Sequence, residues 1–311
     1  MPNPADAAAL APAPASPWRR RGGFIAGVLV LGFLGWALID GWSSVAEYDW
    51  NVSVGVLVLG CVVLLAFYLA SALGWVGIID RLHSPAPPGR VIISIWARSL
   101  LGRYVPGNVL MVLGRVVLNY ERGIPRLTTL AGTVYEQLLT LGLAAAGAVV
   151  FVAVYDGGGM RIWLVALVPL ALLPLPPRIF GPLSPRVLRA VNREPLPRLI
   201  PTGPLAALLV WYAFAAGLLG LGIWLVVCSA VGTEAGGPWF VGLAFLLSFA
   251  VSMLAFIFPS GLGVRDGAFA LALAQNLPGS VAVALSVGTR VMLTTVELVF
   301  IALAALAGRN R

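Results

Sequence analysis

Long apolar stretches separated by short charged segments dominate the pattern of this chain. Six of them approach or exceed the length of a membrane helix. They cover about residues 24–39, 53–79, 127–155, 162–177, 204–231 and 280–307. A helix needs roughly 20 apolar residues to cross the hydrocarbon core of a bilayer. The pattern therefore predicts an all-α protein, a polytopic bundle of membrane helices.

The composition strengthens the membrane assignment. The chain is 60% hydrophobic and 10% charged, with a mean hydropathy of +0.96, whereas about a quarter of the residues of soluble domains are charged.

Residues 1–20 are rich in Ala and Pro and predict a disordered tail. Residues 21–308 predict one transmembrane domain. Arg19–Arg21 and the apolar run after them resemble a signal peptide, but the long leader and long run favour an uncleaved first helix.

The arginines predict the orientation, because cytoplasmic loops of membrane proteins are enriched in basic residues. Arg19–Arg21 and the arginine-rich loop 178–202 are therefore expected in the cytoplasm, together with the C-terminal sequence "GRNR". The loop that holds Asp40, Glu47 and Asp49 has no arginine and is expected outside. We predict a multi-pass protein of a bacterial cytoplasmic membrane with both termini in the cytoplasm.

The segment 91–119 does not fit a simple span, because the flanking charges put both of its ends on the cytoplasmic side. Pro106 and Gly107 lie in its centre. Proline removes a helix hydrogen bond, and irregular backbone at membrane depth requires cover by protein or a wet cavity. The sequence predicts a re-entrant hairpin here.

The same argument applies to 239–277, whose ends are both expected outside. Its break, "FPSGLGVRDG", contains Pro259, Gly261 and Gly263. A second re-entrant hairpin fits this segment, and so does a full span followed by a short one. The number of crossings is therefore seven or eight.

Each broken segment precedes a long helix that carries polar residues on one face. Their spacings of three and four residues align them along the helix. The two sets are Thr133, Glu136 and Thr140, and Arg290, Thr294 and Glu297. The pairing suggests an inverted repeat, a usual frame for alternating access about a site at the membrane midplane.

Eight charged residues are expected at membrane depth. They are Arg98, Arg103, Arg115, Arg265, Arg290, Glu136, Asp266 and Glu297. If these side chains faced lipid, inserting them into the membrane would cost on the order of 20 kcal/mol. They must therefore contact one another, water or a polar ligand. The acids can pair with arginines to hold helices together, but five arginines exceed three acids. The excess favours an anion such as phosphate, which the planar guanidinium binds with two hydrogen bonds.

Three stretches resemble the motifs of a known family: "GRYVPGNVLMVLGR" (102–115), "PSGLGVRDGAF" (259–269) and "GTRVMLTTVELVF" (288–300). They resemble the lysylphosphatidylglycerol synthase transmembrane, or flippase-like, family over about residues 20–308. The usual second motif, Pro-Gly-Gly-Leu-Gly-Val-Arg-Glu, has Ser260 and Asp266 at two positions here. The resemblance implies an integral membrane protein that moves lipids between leaflets. We expect a standalone member without the cytosolic aminoacyltransferase domain.

The leading hypothesis is a flippase or transporter for a lipid with an anionic headgroup, with no enzymatic activity, cofactor, metal or nucleic-acid partner. The lipid is a phospholipid, an aminoacyl-phospholipid or a polyprenyl-phosphate-linked lipid. The predicted substrate-binding residues are Arg98, Arg103, Pro106, Gly107, Arg115, Glu136, Pro259, Gly261, Gly263, Arg265, Asp266, Arg290 and Glu297. The alternative is a scaffold or accessory subunit that binds a lipid-synthesis enzyme. An intramembrane transferase is less favoured, because the sequence shows no metal-binding acid pair.

Overall fold

The computed structural model describes residues 42–104, 109–155, 199–254 and 263–308, and every regular element in these ranges is helical. The elements are α1 (Trp42–Glu47), α2 (Val54–Leu82), α3 (Gly89–Leu100), a 3₁₀ segment (Leu101–Tyr104), α4 (Val109–Tyr120), α5 (Arg126–Tyr155), α6 (Thr202–Val231), α7 (Pro238–Leu254), α8 (Val264–Leu273) and α9 (Gly279–Ala307). The predicted all-α class is confirmed.

Four of the described helices, α2, α5, α6 and α9, are long and apolar enough to cross a membrane. They correspond to four of the six predicted spans, 53–79, 127–155, 204–231 and 280–307. Each has 29 or 30 residues, about 44 Å of helix at 1.5 Å per residue. The other two predicted spans and the predicted tail lie outside the described residues.

Glycines bring α2 and α6 into close antiparallel contact. A Cβ at Gly222 would lie 2.7 Å from the side chain of Leu64, and one at Gly74 would lie 2.8 Å from the ring of Tyr212. The N–H of Ser53 donates to the carbonyl of Ser229 over 2.7 Å, at the start of α2 and the end of α6. These small residues let two long apolar helices pack along most of their length.

Charges separate the two ends of the bundle. Gly132, near the start of α5, packs against Trp75 and Ile78, near the end of α2, so these helix ends lie together. This arginine-rich end carries Arg81, Arg90, Arg122 and Arg126. At the opposite, acidic end are Glu47, Asp49 and Glu234.

The short pair α3–α4 leaves the arginine-rich end and returns to it. Each helix has 12 residues, about 18 Å, which is less than the roughly 30 Å of a hydrocarbon core. Gly102 sits directly against the first residues of α4. Pro106 and Gly107, the predicted break, lie outside the described residues.

The pair α7–α8 begins and ends at the acidic end. Phe240, at the start of α7, packs against Phe151 and Tyr155 at the end of α5, and the Asn276 amide after α8 donates to the Ala235 carbonyl over 3.2 Å. Gly263 precedes α8 with a φ of 87°, a conformation in which glycine carries no steric penalty. Pro259 and Gly261 lie outside the described residues.

We expect Gly102→Ala to destabilise the protein, because the new Cβ would lie 2.4 Å from the backbone nitrogen of Met111. Backbone cannot rotate away as a side chain can, and overpacking of this kind costs about 1–3 kcal/mol or more. The measurement is the thermal unfolding of the purified protein. The control is Gly114→Ala, since a methyl group added at Gly114 would have no neighbour within 4 Å. Equal unfolding temperatures for the two variants would contradict the prediction.

Candidate functional site

The inner ends of the two short helix pairs bring five charged residues together. We call Arg103, Arg265, Asp266, Arg290 and Glu297 the charged cluster. Arg265 lies close enough to Asp266, Arg290 and Arg103 for their charges to interact. Arg103 comes from the 3₁₀ segment after α3, Arg265 and Asp266 from the first turn of α8, and the other two residues from α9. The cluster therefore joins elements from both ends of the bundle.

Glu297 holds the 3₁₀ segment against α9. Its Oε2 accepts hydrogen bonds from Arg103 Nη1 over 2.8 Å and from the Tyr68 hydroxyl over 2.9 Å. Its Oε1 is buried and has no hydrogen-bond partner among the described residues. The Glu297 side chain is 4% exposed, whereas that of Arg103 is 41% exposed. One side of the Arg103 guanidinium is thus free to bind something else.

Asp266 anchors the start of α8 and contacts two arginines. Its Oδ2 accepts hydrogen bonds from Arg290 Nη1 and, over 3.3 Å, from the backbone N–H of Gly263. Arg265 Nε lies 3.9 Å from Oδ1, and Ser286 donates to the Asp266 carbonyl over 2.7 Å. A carboxylate in the first turn of a helix is stabilised by the backbone N–H groups there. Asp266 therefore fixes both the helix start and the position of Arg290.

The cluster carries one more positive than negative charge within the described part of the chain: three arginines and two acids. The acids are nearly buried, but the side chains of Arg265 and Arg290 are 25% and 33% exposed. Arg265 also lies over the ring of Phe245 at 5.3 Å, which orients its guanidinium. Such an arrangement can accept an anion with several charge-assisted hydrogen bonds.

Arg115 and Glu136 form a second, closed pair between α4 and α5. Arg115 Nη1 donates to Glu136 Oε2, and the Trp96 indole N–H donates to Oε1 over 2.7 Å. Arg115 Nε also donates to the Ser99 hydroxyl over 3.1 Å, and the guanidinium lies 4.4 Å from the Trp75 ring centroid. The two side chains are 2% and 6% exposed. In this conformation the pair is a structural link without access for a ligand.

The predicted site residues thus fall into separate groups. Five of them form the charged cluster, and Arg115 and Glu136 pair with each other. Arg98 is exposed on the last turn of α3. The hydroxyls of Thr133 and Thr140 donate to carbonyls of their own helix, so they do not extend either site. Whether any of these residues binds a substrate stays a prediction.

The sequence reasoning missed the aromatic and hydroxyl partners of the charges. Tyr68, Trp75 and Trp96 contact the charged residues, and so do Ser99 and Phe245. The available signal was a polar-tipped aromatic residue inside a long apolar stretch, because a buried Tyr or Trp needs a hydrogen-bond partner. Tyr68 in α2 carries that signal most clearly.

Two further results bear on identity. Among the described residues, no group of three or more His, Cys, Asp or Glu side chains has the arrangement of a metal site. No family model, no curated protein and no solved structure matches the chain.

We expect each single substitution in the closed pair to destabilise the protein strongly and the double substitution to destabilise it only slightly. Glu136→Leu leaves the Arg115 guanidinium buried without its counterion, which costs about 3–5 kcal/mol. Arg115→Met with Glu136→Leu removes both charges and restores most of the loss. Thermal unfolding of the two single variants and the double variant measures the coupling. A double variant as unstable as the sum of the singles would show that the residues act independently.

Proposed function

We propose that this protein is a flippase-type transporter that moves a lipid with an anionic headgroup between the leaflets of the cytoplasmic membrane. The observation that carries the proposal is the charged cluster, where partly exposed arginines outnumber acids between two short helix pairs. Buried acids alone could neutralise only two of the three guanidinium groups. A phosphate supplies the missing negative charge and suits the planar geometry of arginine. A phospholipid, an aminoacyl-phospholipid and a polyprenyl-phosphate-linked lipid all carry such a phosphate.

The distribution of charge supports a membrane orientation. Among the described residues, one end of the bundle carries four arginines with the acids Asp80 and Glu121, and the other end carries three acids and no arginine. Under the positive-inside rule, the arginine-rich end faces the cytoplasm. The pair α3–α4 then enters from the cytoplasm and α7–α8 from the outside, as re-entrant hairpins that reach the charged cluster from opposite faces. With this orientation the cluster would lie near the membrane midplane, the depth at which transporter sites lie at broken helices.

The two halves of the cluster region support an inverted repeat. In α3–α4–α5, the second short helix is joined to the long helix by Arg115 and Glu136. In α7–α8–α9, the second short helix is also joined to the long helix by one ion pair, with the acid, Asp266, on the short helix and the arginine, Arg290, on the long one. Rocking of one half against the other would expose the cluster to each leaflet in turn.

The family resemblance supports the same function. Each of the three stretches that resemble the flippase-like family supplies a residue to the cluster: Arg103 from the first, Arg265 and Asp266 from the second, and Arg290 and Glu297 from the third. Charged residues from all three stretches therefore meet in space. We propose that the chain belongs to this family.

The internal carboxylates act as substitutes for the substrate in this mechanism. With no lipid bound, Glu297 forms an ion pair with Arg103, and Asp266 forms one with Arg290. An entering phosphate binds the exposed side of Arg103 and then competes with Glu297 for the guanidinium charge, while Tyr68 continues to hold the carboxylate. The acyl or prenyl chains remain in the bilayer.

The closed pair and the pairing of every cluster acid favour a second candidate, a scaffold or accessory subunit of a lipid-synthesis complex. In that case the charges only hold helices together, and the protein moves no lipid by itself. A translocation assay on the isolated protein separates the two functions.

We expect Arg103→Gln and Arg265→Gln each to slow lipid translocation about tenfold or more, because a lost charge-assisted hydrogen bond costs about 1.5–3 kcal/mol. The measurement follows acyl-labelled fluorescent phosphatidylglycerol in proteoliposomes by dithionite quenching. Arg122→Gln is the matched control, since Arg122 is exposed in the turn between α4 and α5. Wild-type protein that moves the lipid no faster than empty liposomes would sink the proposal, as would unchanged rates in folded Arg103 and Arg265 variants.

Glu297→Gln should have the opposite effect on binding. Glutamine still accepts the hydrogen bond of Tyr68 but releases Arg103 from its counterion, so an anionic headgroup is expected to bind several-fold more tightly. Titration with a water-soluble short-chain phosphatidylglycerol measures the affinity. Glu121→Gln, at an exposed position after α4, controls for the change in net charge. Weaker or unchanged binding in the Glu297 variant would contradict the competition between carboxylate and phosphate.

A further inference from the structure

A cavity of about 340 Å³ opens at the acidic end of the bundle, away from the arginine-rich end. It lies where the end of α5, the loop before α7 and the end of α8 meet. Its lining includes Tyr155, Gly236, Trp239, Phe240, Gln275 and Asn276. The volume is within the range of roughly 300–1,000 Å³ typical of small-molecule sites.

Among the described residues, the lining contains aromatic and amide groups and no charged side chain. The acid in the adjoining loop, Glu234, is engaged elsewhere, because it accepts a hydrogen bond from the Tyr48 hydroxyl. Burial, together with this bond and the Glu234 charge, raises the pKa of Tyr48 to about 12. At neutral pH Tyr48 therefore stays protonated and continues to donate its hydrogen bond to Glu234. The cavity suits an uncharged ligand.

Trp239 supplies an open aromatic surface at the cavity. It is 78% exposed, so the face of its ring is open to a ligand. Beside it, Tyr155 and Phe240 pack with their rings 5.1 Å apart and nearly perpendicular. Trp224 donates to the Gly236 carbonyl over 3.1 Å, which fixes the loop on the other side. The aromatic wall is thus held in place before any ligand arrives.

The amides of Gln275 and Asn276 supply hydrogen-bonding groups. The Asn276 amide nitrogen donates to the Ala235 carbonyl, which leaves its oxygen as an acceptor. Gln275 is exposed and offers both a donor and an acceptor. Gly236 has a φ of 102°, and a Cβ there would lie 2.8 Å from Phe240 and 3.0 Å from Asn276. Glycine at this position lets the aromatic and amide walls approach each other.

We propose that this cavity binds a neutral sugar ring. The C–H face of a pyranose packs on an aromatic surface such as Trp239, and its hydroxyls need paired donors and acceptors such as those of Gln275 and Asn276. A phosphate or carboxylate finds no cation among the described lining residues. A quaternary ammonium ion needs several open ring faces around it, and Trp239 is the one exposed ring among those residues. Sugar binding at this end is independent of lipid transport at the charged cluster.

The test is saturation-transfer NMR with the purified full chain in a sugar-free detergent, since glycoside detergents would occupy the site. The probes are methyl glucoside, methyl galactoside and N-acetylglucosamine, with sorbitol and choline as non-sugar comparisons. We expect at least one sugar to show saturation of ring C–H protons and competition by a second sugar. Trp239→Ala should lower its affinity roughly tenfold, because the stacked ring is lost.

Two further variants separate a binding role from a membrane-anchoring role of Trp239. Trp239→Phe should retain most of the binding, and Gln275→Ala should weaken it severalfold. Leu271→Ala, which removes a side chain 76% exposed on α8, should leave it unchanged. The proposal is overturned by the absence of a signal for all three sugars, by equal signals for choline or sorbitol, or by full binding in folded Trp239→Ala.

Discussion

A charge buried among apolar helices must have a partner, and this constraint holds the short helices of the protein in place. Arg115 and Glu136 join α4 to α5, and Asp266 and Arg290 join α8 to α9. Glu297 joins the 3₁₀ segment to α9. Apolar packing alone would hold these short helices less firmly, because they bury less surface than the long ones. The ion pairs therefore hold the 3₁₀ segment, α4 and α8 against the long helices.

Arginine–carboxylate pairs have two roles in this account, and the exposed fraction of the arginine side chain distinguishes them. The Arg115 side chain is 2% exposed and has its donors directed at Glu136 and Ser99. The Arg103 side chain is 41% exposed and gives one nitrogen to Glu297. The first arrangement is complete and stabilises the fold. The second leaves donors for a ligand, which is why the proposed function depends on the charged cluster and not on the closed pair.

The sequence predicted the parts of the fold that depend on local pattern. The long helices follow from apolar runs, and Gly263, part of the predicted break, lies directly before the start of a helix. Spacing also indicated that Arg290 and Glu297 share a face of α9. The pairing of charges was not predictable, because Arg103 and Glu297 are 194 positions apart and every guanidinium has the same preference for every carboxylate. The role of Tyr68 depends on the same tertiary contact.

The exchanged charges of the two helix pairs have a consequence for assembly of the chain. If α4 packed on α9 in place of α5, Arg115 would face Arg290; if α8 packed on α5, Asp266 would face Glu136. Either mistake places like charges together in a medium of low dielectric, where their repulsion is strong. Two otherwise similar pairs of short helices can thus be told apart as the chain folds, and each is directed to the long helix that follows it.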